Sequence, residues 1–372
     1  MSVVNFLFPS VVRFGEGCLS LLEKENIPKG PGVIITGGKS AKKSKALGRA
    51  VSYLEKRGDK VYVFDGVEPE VSVETADKAS EYCRKTKAVY VIGLGGGSAL
   101  DCAKAAAGCA PGGCGVTQYL EDKAKLNKSP LYFAAVPTTA GTGSECTKNA
   151  VLTWTARKVK ISLRGDSLVP RLVLADPELT YSMPPDITSW TGMDALTHAV
   201  ESYFSSGANE TTKALSVCAI KLIQENIVKA YKNGGDKTAR RSMLLASVNA
   251  GFAFANAGLG AVHGLGHPVG AICKIPHGLV NAIMLPHVLK YNKKACIKEM
   301  KALEKETGND IIDTVLKMNK QMKIPGKISG VCGNAKAMAG LILSTTAYSG
   351  SMQYNPVKMD AGKTEKLLKR VL

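Results

Sequence analysis

The chain has 372 residues, 45% hydrophobic and 22% charged, with 49 Lys+Arg against 31 Asp+Glu and a formal net charge of +18. This length exceeds one ordinary core and predicts two domains, while no apolar run reaches the ~20 residues of a membrane span. The basic residues are spread along the chain, with no basic helix, finger spacing or RNP-like aromatic motif, so nucleic acid is not an expected partner; the charge reads as a solvated surface that attracts anionic ligands.

Met1 to Ser20 lacks the basic start, apolar stretch and cleavage site of a signal peptide. The ten cysteines form no CxxC pair and read as free thiols, which argues against a structural zinc and for a cytoplasmic protein.

Along the first half, strand-like and helix-like stretches alternate. Strands are expected at Val33–Ile35, Lys60–Phe64, Ala88–Ile92 and Leu131–Val136, and helices at Ser40–Arg57, Val73–Lys85 and Ser98–Gly108. Alternation of this kind predicts a parallel sheet covered on both faces. Met183-Pro184-Pro185 interrupts the pattern. Beyond it helical periodicity dominates, as in Ala214–Tyr231 and Ala239–Ala257. The expected organisation is an N-terminal α/β domain over 1–182 and a helical domain over 183–372.

Two turns carry chemistry. Gly93-Leu94-Gly95-Gly96-Gly97-Ser98 sits between a strand and a helix start, where backbone N–H groups and the helix dipole can hold a pyrophosphate. Ser98 stands where a GxGxxG pattern has its last glycine, so a plain tight turn is the competing reading. Pro137 to Glu145 follows another strand and offers Thr138, Thr139 and Thr142, hydroxyls suited to ribose and phosphate. Gly37-Gly38-Lys39-Ser40 ends like a P-loop, but Val33 occupies its first glycine position, which excludes an ATPase.

All five histidines lie between residues 198 and 287. Asp194 and His198, and His263 and His267, are spaced i,i+4 and share a helix face; His277 and His287 follow. One carboxylate with several imidazoles suits Fe2+ or Zn2+ with an open position. Five histidines compete for about four positions, and spacing does not choose among them.

Together these motifs resemble the iron-containing alcohol dehydrogenases. The resemblance runs nearly end to end, through Phe14-Gly15-Glu16-Gly17, Gly95 to Ser98 with Asp101 and Lys104, Pro137 to Glu145, Met183 to Glu201 and Asn256 to His287. It implies a dehydroquinate synthase-like architecture, with Asp194, His198, His263 and His277 as ligands of Fe2+, Zn2+ being the alternative. His267 becomes a proton-relay group and His287 structural. Gly95, Gly96, Gly97 and Ser98 become the pyrophosphate turn, Thr138, Thr139 and Thr142 flank the nicotinamide, Lys160 reaches the cofactor and Leu179 lines the adenine or ribose pocket. The implied reaction is hydride transfer between a nicotinamide dinucleotide and a small primary alcohol, diol or aldehyde, in a homodimer or higher homo-oligomer.

Two alternatives share this architecture. A glycerol dehydrogenase-like polyol oxidoreductase is one; a dehydroquinate synthase-like lyase is the other, but its acidic substrate calls for Lys, Arg and Asn where His263 to His277 is mostly Gly, Ala, Leu, Val and Pro. The chain departs from the family at Cys146, where Val is common, and at Gly38, where a frequent Asp repels a 2′-phosphate. With Gly38, Lys39 and Ser40 in that turn and Lys42 and Lys43 nearby, NADP(H) is expected in preference to NAD(H).

Overall fold

The computed structural model of the chain describes residues 4–37, 41, 45–126, 129–157, 159–346 and 350–372. They divide into two compact units, Met1–Met183 and Pro184–Leu372.

The first unit contains eight strands among its described residues: β1 (Val11–Phe14), β2 (Gly32–Gly37), β3 (Val61–Val67), β4 (Tyr90–Gly95), β5 (Tyr132–Pro137), β6 (Asn149–Trp154), β7 (Val159–Arg164) and β8 (Leu172–Ala175). Six form one sheet in the order β1-β8-β5-β4-β2-β3, every pair parallel, and β6 and β7 form a separate antiparallel pair. Helices α1 (Ala46–Lys56), α2 (Val73–Lys85), α3 (Gly97–Cys109) and α4 (Val116–Leu120) connect them. The central strands β4 and β5 are buried almost throughout, which is why they read as continuous apolar runs. Tyr90, Ile92 and Leu94 alternate toward a core shared with Leu19, Leu22, Ile34, Leu54 and Leu174.

The expected helix over Ser40–Arg57 is interrupted at Lys45, whose φ of 58° is a left-handed value that a continuous helix does not allow; Ala41 ahead of the break is helical, and helix α1 follows from Ala46. Gly38, Lys39, Ser40, Lys42 and Lys43 lie outside the described residues.

The sheet sets where its loops meet. Strand β2 is followed outward by β3, whereas β4 lies on its other side, so the chain reverses direction between β2 and β4. Open parallel sheets bind ligands at the carboxyl ends of strands beside such a reversal. There Thr36 pairs with Leu94 and Gly95 with Pro137, placing the ends of β2, β4 and β5 side by side.

The second unit is helical: α5 (Pro185–Phe204), α6 (Glu210–Lys232), α7 (Lys237–Ala257), α8 (Ala261–Cys273), α9 (His277–Asn292), α10 (Ile297–Thr307), α11 (Ile311–Gln321), α12 (Ala339–Thr346) and α13 (Ala361–Val371). The starts of α6 and α7 are set by Asn209 and Asp236, whose side chains accept from backbone N–H groups at the third helical position. Helix α5 is buried along most of its length and packs against α6, α7 and α9. Helix α8 contains Pro268 and three glycines within its 13 residues. Among the described residues no single helix is long and apolar enough to cross a membrane.

Candidate functional site

In the helical unit, α5 supplies Asp194, His198 and Glu201, α8 supplies His263 and His267, and α9 supplies His277 and Asn281. Asp194, His263 and His277 each turn one donor atom inward, and these three atoms lie within 4.8 Å of one another. Asp194 Oδ1 is 3.6 Å from His263 Nε2 and 3.8 Å from His277 Nε2. The close approach of α5 and α9 needs Gly278: a Cβ there would stand 2.2 Å from the Trp190 carbonyl oxygen.

His198 is not part of that trio. Its ring stacks on His263 with centroids 4.5 Å apart and on Phe254 at 4.3 Å. His267 stacks on His277 at 4.9 Å and meets His263 edge-on at 6.1 Å. His287 points elsewhere, to the Gly326 carbonyl at 2.9 Å.

Two residues that the histidine spacing did not single out complete the site. Glu201 Oε2 lies 2.6 Å from His263 Nδ1, and Oε1 accepts from Val262 N at 2.6 Å. Placing the ring proton on Nδ1 leaves the Nε2 lone pair directed at Asp194 and His277, as carboxylate–histidine–metal arrangements require. Asn281 Nδ2 is 2.7 Å from Asp194 Oδ1 and 3.1 Å from Nε2 of both His263 and His277. Two amide hydrogens cannot satisfy three converging lone pairs; a divalent cation can.

The electrostatics agree. Burial pushes the Asp194 carboxyl up, but His198, His277 and the hydrogen bond from His263 outweigh it and hold the group far below the usual carboxylate range. Burial lowers the His263 pKa, yet hydrogen bonds to Asp194 and Glu201 raise it to about 9, so a bound cation would take the place of a second ring proton on Nε2. The pocket therefore favours positive charge, and an N- and O-donor set of this kind fits Fe2+ or Zn2+.

In the α/β unit, the Gly95–Ser98 turn and the Thr138–Thr142 loop leave adjacent strand ends. They interlock: a Cβ on Gly97 would stand 2.8 Å from Thr142 Cγ2. Thr138 N donates to Gly95 O at 2.9 Å, and the buried Thr138 Oγ1 has no hydrogen-bond partner among the described residues, an acceptor and donor left for a ligand. Ser98 Oγ accepts from Glu70 N at 3.0 Å, Lys160 pairs with Glu70, and Leu179 is buried in the sheet core.

Beneath the two turns lies a buried polar clamp. Asp101 accepts from Ser144 Oγ at 2.6 Å and Val151 N at 3.1 Å, and Lys104 donates to Thr147 Oγ1 at 2.8 Å and Asn149 O at 2.7 Å. Glu145 beside them has one oxygen without a partner among the described residues. Burial raises its pKa from an ordinary 4.5 to about 7 despite the Lys104 charge. The folded chain then holds more protons than the unfolded chain between those values, so this group makes stability fall as pH rises through that window. Glu145→Gln is expected to gain on wild type by about 1–3 kcal/mol between pH 4 and pH 8. Urea unfolding at both pH values checks this; a difference that does not change with pH contradicts it.

Residues 9–177 match the iron-containing alcohol dehydrogenase family, and residues 188–372 match its C-terminal domain. The chain belongs to that family. It is 34% identical over 345 residues to the NADPH-dependent butanol dehydrogenase of Clostridium saccharobutylicum, covering 87% of this chain and 85% of the relative. It is 41% identical over 303 residues to long-chain-alcohol dehydrogenase 1 of Geobacillus thermodenitrificans, covering 81% and 76%. The solved structure of a 1,3-propanediol oxidoreductase aligns over 100% of both chains with a TM-score of 0.94 and 31% identity. In this iron-containing alcohol dehydrogenase, the missed residues did leave a signal: Glu201 follows Asp194 by seven positions and His198 by three, and Asn281 follows His277 by four, the same helical-face spacings that linked the histidines.

Proposed function

We propose that this chain is a metal-dependent alcohol dehydrogenase that moves a hydride between NADP(H), with NAD(H) used more weakly, and a small primary alcohol, diol or aldehyde. The observation that carries the reading is the convergence of Asp194 Oδ1, His263 Nε2 and His277 Nε2 on one point in the helical unit. Asp194, His198, His263 and His277 are assigned to hold Fe2+, or Zn2+ in its place. Gly95, Gly96, Gly97 and Ser98 are assigned to the pyrophosphate, Thr138, Thr139 and Thr142 to the nicotinamide side, Lys160 to the cofactor and Leu179 to the adenine or ribose pocket. Gly38, Lys39 and Ser40 are assigned to the adenosine 2′ position.

When bound, the ion supplies Lewis acidity toward the substrate oxygen and the nicotinamide supplies the hydride acceptor. The chain does the rest. Glu201 keeps the His263 proton on Nδ1, so that Nε2 stays a ligand atom. Asn281 restrains Asp194 and the two imidazoles. His267, against the His277 ring, takes up the proton an alcohol releases and returns it when an aldehyde is reduced.

We place the protein in the cytoplasm as a homodimer or higher homo-oligomer. The exposed Val4 and Phe6 ahead of the edge strand β1 support a second copy at that edge. The test of function is steady-state kinetics on an alcohol and aldehyde panel, run anaerobically with defined metal and both cofactors. NADPH is expected to give the higher kcat/KM, and Gly38→Asp to reverse the order by restoring repulsion of the 2′-phosphate. Equal or better use of NADH by wild type contradicts the cofactor reading, and no turnover with any alcohol or aldehyde contradicts the function.

A further inference from the structure

Glu70 occupies an unusual position. Its φ is 59°, a left-handed value that glycine or asparagine adopts readily and glutamate adopts at a cost. The backbone is pinned there from both sides: Glu70 N donates to Ser98 Oγ at 3.0 Å, and Glu70 O accepts from Thr153 Oγ1 at 2.8 Å. Thr153 lies directly across the β6–β7 pair from Lys160. The segment is thus docked on the hairpin so that the Glu70 carboxylate meets the Lys160 ammonium. Strain held in place by this many contacts points to a role for the residue that adopts it.

We infer that Glu70 is a positioning residue for dinucleotide binding: it holds Lys160 as an ion pair in the free enzyme and orients the Ser98 hydroxyl, and the cofactor must take Lys160 from it. The inference rests on the proposed assignment of Lys160 and Ser98 to the cofactor. Two consequences follow from chemistry. Because the Glu70 amide uses a lone pair of Ser98 Oγ, the hydroxyl hydrogen is turned away from it, free to donate to a phosphate oxygen. Because the Glu70 carboxylate is nearly half exposed while Lys160 is largely covered, the ion pair is weak and can open toward a more highly charged partner, the pyrophosphate. The carboxylate also sets an electrostatic threshold: the cation that the dinucleotide meets is already neutralised.

The experiment measures equilibrium binding of NADPH and NADH to full-length wild type, Glu70→Gln, Lys160→Gln and the double variant by fluorescence titration at low and high salt, with thermal melts as a check on folding. Glu70→Gln keeps the main-chain bonds and removes only the charge. It is expected to tighten both dinucleotides about threefold to fivefold at low salt, with less gain at high salt. Lys160→Gln is expected to weaken both, and Glu70→Gln to give no gain in its presence. If Lys160→Gln leaves binding unchanged, the assignment of Lys160 to the cofactor fails and the inference falls with it. If Lys160→Gln weakens binding but Glu70→Gln does not tighten it, only the inference is overturned. Equal tightening with and without Lys160 also overturns it, since Glu70 would then repel the phosphates directly.

Discussion

Asp194→Ala and His263→Ala are each expected to lose bound metal and to lower kcat/KM by roughly three or more orders of magnitude. Each removes one donor from the proposed set of four, and one of the three whose donor atoms lie within 4.8 Å of one another, so the site that remains is too open to hold a divalent ion. His267→Ala is expected to keep the metal while lowering kcat by about 10²- to 10⁴-fold, the range of a lost proton-transfer group. His198→Ala tests the fourth ligand: its ring stacks on His263 rather than joining the trio, so a ligand role requires its metal content to fall with the others. Metal analysis of the purified, folded variants decides these assignments. A folded His267→Ala protein without metal, or a fully metallated His263→Ala protein, makes the ligand set wrong.

The second large effect concerns stability. Lys104 is fully buried, with Asp101 as its ion-pair partner at 3.6 Å. Replacing it with methionine keeps the volume but leaves Asp101 and Glu145 buried with no cation and removes the ammonium donor from the Thr147 hydroxyl and the Asn149 carbonyl. Lys104→Met is expected to cost about 3–5 kcal/mol, because an unpaired buried charge is worse than no charge. Adding Asp101→Asn should return part of the loss. Urea midpoints for the single and double variants check this; a single variant as stable as wild type shows that the clamp contributes nothing.

Much of this molecule was legible before any coordinates. Strands β2, β4 and β5 announce themselves because burial on both faces demands an unbroken apolar run. Strands β1 and β8 do not, being four residues each and held in the sheet by partners far away in sequence. The β6–β7 pair was also missed, since its half-buried alternation carries Thr, Lys and Arg and blends into the loop chemistry around it. In the helical unit, the i,i+4 pairs bring residues to a common face, but only the approach of α5, α8 and α9 says which faces meet. Glu201 and Asn281 share those helical-face spacings, but their contacts with His263 and Asp194 depend on that approach. Glu70 was invisible for another reason: nothing in a run such as Val67-Glu68-Pro69-Glu70 reveals a left-handed φ or a lysine arriving from a hairpin ninety residues later.

Helix α8, with its three glycines and Pro268, is a poor helix by composition. Relative to alanine each glycine costs ~1 kcal/mol and the proline ~3 kcal/mol, so the segment that presents His263 and His267 would not hold its shape as an isolated peptide. Its order comes from its neighbours and, on the proposed ligand set, from the cation that His263 would hold. Ligation and helix formation would then share one free energy: loading the ion would also be a folding step for this segment, and its amide protons are expected to exchange faster whenever the ion leaves.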